Sequence, residues 1–362
     1  MALPRQLGHT YACRSGAGPT SHEVRRRVDD QEHYDGPRTE DIYRIVRAGA
    51  VTEMDVAISG ASGLIGGALV QALEGDGHRV VRLVRPQTSA AGGDTIRWDP
   101  VNGTIDAAGL EGLDAVVHMA GVGIGDKRWT EARKRDILRS RTEGTSVLAK
   151  ALGGLQRRPS VFVSGSATGF YGDGGDRELT ETSPAGKGFR AEVVKAWEAA
   201  ARSATRAGIR TVLLRTANVI TPDGGLLPFL LTPFKLGLGA RFGDGRQWFP
   251  WITLDDEVAA IRFAIDDVRL TGPVNAVAPE AVTNASFAKT LGRVLHRPAP
   301  WWAPAPVLEL IAGKERAREA LLSSAKVVPT VLTDAGFTFG DPQLESALRR
   351  ILAPPTTRTD PV

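Results

Sequence analysis

The chain has 362 residues, 42% of them hydrophobic and 24% charged, with a formal net charge of +4. This is the composition of a globular protein with enough apolar material for a sizeable core, and its scattered excess of base argues against a nucleic-acid binder. No run approaches the ~18 uncharged apolar residues of a membrane span; the richest, from Gly225 to Gly239, is broken by Pro228, Pro233 and Lys235.

Residues 1–53 hold eight Arg against eight Asp and Glu, the only cysteine (Cys13) and three of the four tyrosines. They lack apolar periodicity and read as an N-terminal extension outside the folded body, with a regulatory or targeting arm as the other reading. They do not read as a secretory signal, because no apolar core follows the basic residues. After Met54 there are no cysteines, one tyrosine (Tyr171) and three dispersed histidines (His78, His118, His296). That excludes disulfides, thiolate catalysis and a cysteine zinc site in the body, and no metal is expected.

From Asp55 the pattern becomes regular. Asp55 to Ser59 reads as a short apolar strand, followed by a glycine-rich turn and a helix over Leu64–Leu73. Further strands are expected at Arg79–Val84, Ala115–Met119, Ser160–Ser164 and Thr211–Leu214, with helices over Thr130–Leu152 and Ala191–Arg206. Strands alternating with helices of this length predict an α/β fold, a Rossmann-like doubly wound parallel sheet. After about residue 220 helical segments separated by Pro and Trp clusters predict a smaller, mostly helical C-terminal substrate region over the sheet's carboxyl edge. The expected divisions are 54–220 for the dinucleotide-binding part, 221–354 for the substrate or lid part, and 355–362 as a tail.

Gly60-Ala61-Ser62-Gly63-Leu64-Ile65-Gly66 is a G-x-x-G-x-x-G run placed between a strand and a helix. Gly60 allows the tight turn, Gly63 lets the backbone approach a pyrophosphate, and Gly66 lets the helix pack on the strand. The phosphates would meet the free N–H groups and positive dipole end of the helix. A dinucleotide is the expected cofactor. NAD binders place a carboxylate after the second strand to hold the ribose hydroxyls. Here Arg82 and Arg85 stand there, with no acid between His78 and Ala91. A cation suits a 2′-phosphate, so NADP(H) is favoured over NAD(H), unless both arginines are ordinary surface charges.

With these residues the chain resembles the extended short-chain dehydrogenase/reductase superfamily, and most closely its nucleotide-sugar-epimerase-like, YfcH-like branch. The resemblance runs from about Met54 to Leu352 and includes a DUF1731-like segment at about 300–350. It rests on the glycine spacing and on His118-Met119-Ala120-Gly121, which implies that Ala120 and Gly121 line the cofactor. It rests further on Asp126-Lys127-Arg128-Trp129, Ser166-Ala167 with Tyr171-Gly172, Trp197-Glu198, Leu214-Arg215-Thr216, Gly243 to Trp248, Asp255-Asp256 and Asn275 to Pro279. Thr253 stands where the branch commonly has His.

The superfamily's chemistry uses a Tyr-x-x-x-Lys pair, one helical turn apart, with a serine that orients substrate. The corresponding place reads Phe189-Arg190-Ala191-Glu192-Val193, and the usual helix Asn is Arg141. The serine survives as Ser166. Tyr171, five residues on, is a candidate acid/base or else a packed tyrosine, and Glu198 and Lys195 are further candidates. Arg215 is placed to approach the cofactor or to pair with a carboxylate. Lys127, Arg128 and Trp129, together with Arg246 and Trp248, suit a phosphorylated or ring-bearing substrate, or else a lid held by ion pairs and packing. His118 is expected to be a buried strand-end residue. Two functions follow. One is an NADP-dependent oxidoreductase or epimerase acting on a small polar molecule, with nucleotide sugars among the candidates. The other is a non-catalytic NADP(H)-binding sensor or regulatory partner, for instance in cell-division processes. A cytoplasmic location is expected, and a homodimer stays open.

Overall fold

The computed structural model describes residues 53–88, 93–125 and 127–353; the N-terminal extension, the 355–362 tail and Asp126 lie outside them. In chain order the main-sheet strands are β1 (Asp55–Ser59), β2 (Arg79–Val84), β3 (Asp94–Asp99), β4 (Thr104–Ile105), β5 (Ala115–His118), β6 (Val161–Ala167), β7 (Arg210–Thr216) and β8 (Gly272–Ala276). They lie in the spatial order β8-β7-β6-β5-β1-β2-β3-β4, and every pairing is parallel except β3 with β4.

Among the helices are α1 (Leu64–Gly75), α2 (Glu131–Gly154), α3 (Phe189–Ala200), α4 (Leu254–Asp266), α5 (Asn284–Val294), α6 (Ala305–Ala312) and α7 (Leu344–Ile351). Alternate strand residues point to opposite faces, and both faces are covered. Val56 and Ile58 of β1 pack with Leu69 of α1 and Ile261 of α4. Ala57, Val116 and Phe162 pack with Leu148 and Leu152 of α2 on the other side. Burial on both faces is why these strands are nearly continuous apolar runs. The doubly wound sheet expected from the sequence is therefore present. The chain leaves β1 toward β2 on one side and returns to β5 on the other. The crevice at the carboxyl ends of β1 and β5 is the switch point where such sheets bind ligands.

β3 and β8 were not among the expected strands. β3 has the polar sequence DTIRWD, and only Ile96 and Trp98 face the core. β8 (GPVNA) opens on Gly and Pro, and pairs only with β7. An edge strand tolerates a proline that a central strand would not. The late segment thus contributes a strand to the main sheet as well as helices. Those helices share a further core in which Trp251, Phe287, Leu291, Leu344 and Leu348 meet Leu227 and Phe234.

α4 shows how the edge of the sheet is tied to the later chain. Thr253, where the resemblance expected His, caps this helix by accepting the Asp256 N–H, and donates its hydroxyl to Asp341 at 2.9 Å. Glu257 in the first turn is buried and accepts the Thr216 hydroxyl at 2.7 Å. Burial pushes its carboxyl up to about 8, so it is carried largely protonated at neutral pH.

Candidate functional site

The glycine loop sits at the carboxyl end of β1. Gly60 has φ +74, and a Cβ there would lie 2.9 Å from the backbone of Met119 and Ala120. A Cβ at Gly66 would lie 2.2 Å from the Gly60 carbonyl oxygen. Gly63 is the N-cap of α1, with no side-chain cap and no acidic residue in the first turn. The opening N–H groups of this helix therefore lack a side-chain acceptor. The turn forms a cradle closed on one side by Met119 and Ala120, whose N–H groups reach back to the Ser59 carbonyl and hydroxyl. Ala61, Ser62, Leu64 and Ile65 complete it, and Leu64 packs beneath Gly224 of the later chain.

His118 at the end of β5 is fully buried, hydrogen-bonded to Ser59 Oγ at 2.6 Å and edge-on to Trp98. Burial lowers its pKa to about 4. It is a neutral structural residue, as the sequence implied.

Arg82 and Arg85, both expected to meet the cofactor, part company. Arg82 lies mid-strand and is paired with Glu74 at the far end of α1 (2.6 Å), so its charge is engaged away from the carboxyl edge. Arg85 immediately follows β2 and is exposed. Its loop is held by Arg97, which donates to the carbonyls of Arg85, Pro86 and Thr88 at 3.2, 3.2 and 2.9 Å. Arg97 was not anticipated, because nothing in the sequence joins it to a loop nine to twelve residues earlier.

At the carboxyl ends of β6, β7 and β8 lies a buried polar network. Ser166 Oγ donates to Glu198 Oε1 at 2.7 Å. Arg215, opposite Ser166 in register, grips the same carboxylate with Nε (2.8 Å) and Nη2 (3.1 Å). Its Nη1 donates to the Tyr171 hydroxyl (2.9 Å) and the Glu181 carbonyl (3.2 Å), and its guanidinium stacks on Phe170 at 3.6 Å. Tyr171 in turn donates to Asn275 Oδ1 at 2.7 Å. The Arg215 side chain is 4% exposed and Glu198 12%.

Tyr171 is 2% exposed, with its hydroxyl enclosed by Arg215 and Asn275. Burial raises its pKa, and the Arg215 charge offsets only part of that. It is a packed phenol that keeps its proton at neutral pH. Arg215 pairs with Glu198 and Tyr171, the carboxylate partner that the sequence left open for it. Glu181 and Asn275 were missed as members of the network. The Asn275 N–H and the Val331 N–H both donate to Glu181 Oε1 at 3.1 Å, a convergence of three distant segments with no local sequence signal.

Neighbouring side chains explain the other departures. Trp197 packs on Gly165, where a Cβ would lie 2.9 Å from the indole. Arg141 stacks over Trp197 at 5.0 Å, lies against Gly121 and donates to the Val122 carbonyl at 2.9 Å. Burial lowers its pKa to about 10, still charged at neutral pH. Phe189, in the tyrosine's place, packs edge-on against Trp129 at 5.1 Å.

The expected substrate residues fall into two groups. Arg128 donates to the Leu310 carbonyl at 2.6 Å, Trp129 to the Ile124 carbonyl at 2.9 Å, and Lys127 is exposed. Trp248 donates to Asp176 at 3.0 Å and lies under Lys326, while the Arg246 side chain is exposed. Among the described residues no hydrogen bond or ring contact joins the two groups. A cavity of about 630 Å³ opens against α3, lined by Phe170, Lys195, Glu198, Arg202 and Leu213. None of the glycine-loop residues lines it, so it is not the dinucleotide crevice. Among the described residues no cluster of His, Cys, Asp or Glu could hold a metal ion.

A glycine-loop cradle at the switch point of a doubly wound sheet, with a serine at the end of β6, defines an extended short-chain dehydrogenase/reductase. The sequence model of the NAD dependent epimerase/dehydratase family matches residues 56–277, and that of the domain of unknown function DUF1731 matches residues 303–351. The chain belongs to the NAD dependent epimerase/dehydratase family. It is 41% identical over 293 residues to an epimerase family protein of Mycobacterium tuberculosis, covering 81% of this chain and 96% of that one. Human epimerase family protein SDR39U1, whose crystal structure was determined with NADPH, is similar at TM-score 0.74 and 34% identity, covering 82% of this chain and 99% of that one. A nucleoside-diphosphate sugar epimerase from Corynebacterium glutamicum is similar at TM-score 0.71 and 33% identity, covering 86% of this chain and 62% of that one.

Proposed function

We propose that the chain is an NADP(H)-dependent oxidoreductase or epimerase acting on a small polar substrate, with Ser166 and Glu198 serving where the Tyr-Lys pair is missing. The 2.7 Å hydrogen bond from Ser166 Oγ to a carboxylate locked by Arg215 carries this reading. The glycine loop would hold the pyrophosphate, and Ala120 and Gly121 would flank the dinucleotide. Arg85 would meet the 2′-phosphate, a reading supported by its place after β2 and by the NADPH in the human relative's structure.

When bound, the dinucleotide supplies or takes up the hydride. Because Ser166 donates its own proton to Glu198, its lone pairs are free to accept a substrate hydroxyl. In the oxidising direction the substrate proton passes to Ser166 Oγ as the Ser166 proton passes to Glu198; reduction reverses both transfers. Arg215 fixes the carboxylate, and Tyr171 and Asn275 fix Arg215. Nucleotide sugars are the substrate class suggested by the epimerase relatives, with Lys127 and Arg128 near the crevice mouth as phosphate partners.

A panel of sugar nucleotides, aldehydes and keto compounds incubated with NADPH, followed by nicotinamide absorbance, tests this. Ser166→Ala is expected to lower turnover about 10²–10⁴-fold while leaving NADPH affinity unchanged. Full turnover by that variant would remove Ser166 from the chemistry, and no turnover on any member with NADPH bound would favour the sensor reading. Arg85→Ala is expected to weaken NADPH about tenfold to a hundredfold, the worth of a charged hydrogen bond, and to leave NADH unaffected. Arg82→Ala should change neither. Equal losses for NADPH and NADH in Arg85→Ala would sink the phosphate role.

A further inference from the structure

Arg141, on α2, is a cation without a counter-charge. Arg190, Arg210 and Arg215 are desolvated, and each has a carboxylate beside it: Glu319, Asp267 and Glu198. Arg141 is desolvated as well, yet among the described residues no carboxylate pairs with it. The charge that does act on it, that of Arg133, has the same sign. Taking a charge out of water is costly unless an opposite charge compensates it, so a half-buried guanidinium in this state is a receptor for an anion.

The hydrogen bonds show which part of the guanidinium is on offer. Nη1 donates to the Val122 carbonyl at 2.9 Å and to the Ile137 carbonyl at 3.2 Å. Nε and Nη2 make no hydrogen bond among the described residues, and neither is sealed from solvent. These two nitrogens form one edge of the guanidinium plane, the fork that takes a carboxylate side-on. Arg215 uses that same edge to grip Glu198, at 2.8 and 3.1 Å. The place of the fork is also informative. A Cβ at Gly121 would come within 3.4 Å of Arg141 Cζ. The guanidinium lies over Trp197, and Trp197 packs on Gly165, the residue before Ser166. Arg141 thus stands between the loop leaving β5 and the end of β6 that carries the serine.

We propose that Arg141 binds a carboxylate of the substrate, which is then an oxo or hydroxy acid, sugar acids included, with its reacting oxygen at Ser166. One guanidinium between an indole and a glycine backbone balances one negative charge. A carboxylate is planar and singly charged, whereas a phosphate dianion would leave a charge uncompensated there. The inference rests on the reading of this crevice as a substrate site. It also gives a reason for arginine in place of the usual helix asparagine, since a neutral amide offers no charge to an acid.

Calorimetric titration of the NADPH-loaded full chain with oxamate, malonate and inorganic phosphate tests it. Oxamate carries a carboxylate beside a carbonyl that NADPH does not reduce. Saturable binding of oxamate or malonate is expected, with phosphate weaker. Arg141→Met should lose about tenfold to a hundredfold of the carboxylate affinity, the worth of a charged hydrogen bond, and keep its affinity for NADPH. Its melting temperature should no longer rise with oxamate as that of the parent chain does. Arg141→Lys keeps the charge and loses the fork; it should lose most of the same affinity, and it carries the test if the methionine variant does not fold. No binding of either carboxylate, or undiminished binding by a folded variant, would overturn the proposal. So would phosphate binding more tightly than both carboxylates, or a loss that falls on NADPH instead, which would assign Arg141 to the dinucleotide. Binding is read without turnover, so a panel with no turnover would sink the catalytic reading and leave this one standing.

Discussion

Gly66→Ala is expected to abolish dinucleotide binding, with a loss of at least a hundredfold in NADPH affinity by nicotinamide fluorescence. The added methyl would sit 2.2 Å from the Gly60 carbonyl oxygen and 2.8 Å from its carbon. Both are backbone atoms of the tight turn itself, so relief requires either opening the turn or pushing α1 off β1. Overpacking of this kind costs about 1–3 kcal/mol, occasionally more, and here it is released by distorting the cradle. Gly67→Ala is the internal control. Its Cβ would meet nothing closer than 3.5 Å, and alanine gains up to about 1 kcal/mol over glycine in a helix. Two neighbouring substitutions of identical chemistry should therefore move stability in opposite directions. Equal NADPH affinity in Gly66→Ala and the parent chain would show that the loop does not hold the pyrophosphate.

The contrast between these glycines also marks where the sequence was legible. The spacing of Gly60, Gly63 and Gly66 between a strand and a helix specifies a backbone geometry, because Gly60 has a positive φ and a Cβ at Gly66 would strike the Gly60 carbonyl. The apolar strands were legible for a similar reason, since burial on both faces leaves near-continuous apolar runs. β8 was not legible: five residues opening on Gly-Pro carry no period, and its pairing with β7 is set by the tertiary fold. The choice between Arg82 and Arg85 was equally closed to sequence. Both look like strand-end cations until Glu74, eight residues before Arg82, is seen to take its charge. Tyr171 was conspicuous as the only tyrosine of the body. Its role turned on Asn275, 104 residues away, and on Arg215, 44 residues away. Serine, glutamate and arginine at the ends of separate elements form a site only once β6 and β7 are in register.

Arg215→Met is expected to be the most destabilising single change in that network. It removes the partner of a carboxylate that is only 12% exposed, along with a donor to Tyr171. Breaking a buried ion pair from one side costs about 3–5 kcal/mol, because the remaining charge stays desolvated. Glu198 borders the cavity against α3, so water entering there would hold the cost toward the lower end of that range. Urea unfolding should report it as a fall in midpoint at unchanged slope. The double variant Arg215→Met with Glu198→Leu removes both charges, and an apolar pair in place of a buried ion pair is often neutral in stability. It should recover most of the loss. Turnover should not recover with it, since Ser166 would then have no carboxylate to receive its proton. Stability that stays low in the double variant would mean that Arg215 acts mainly through Tyr171 and the Glu181 carbonyl. Turnover that returns with stability would remove Glu198 from the proton path and leave the network a purely structural clamp across β6, β7 and β8.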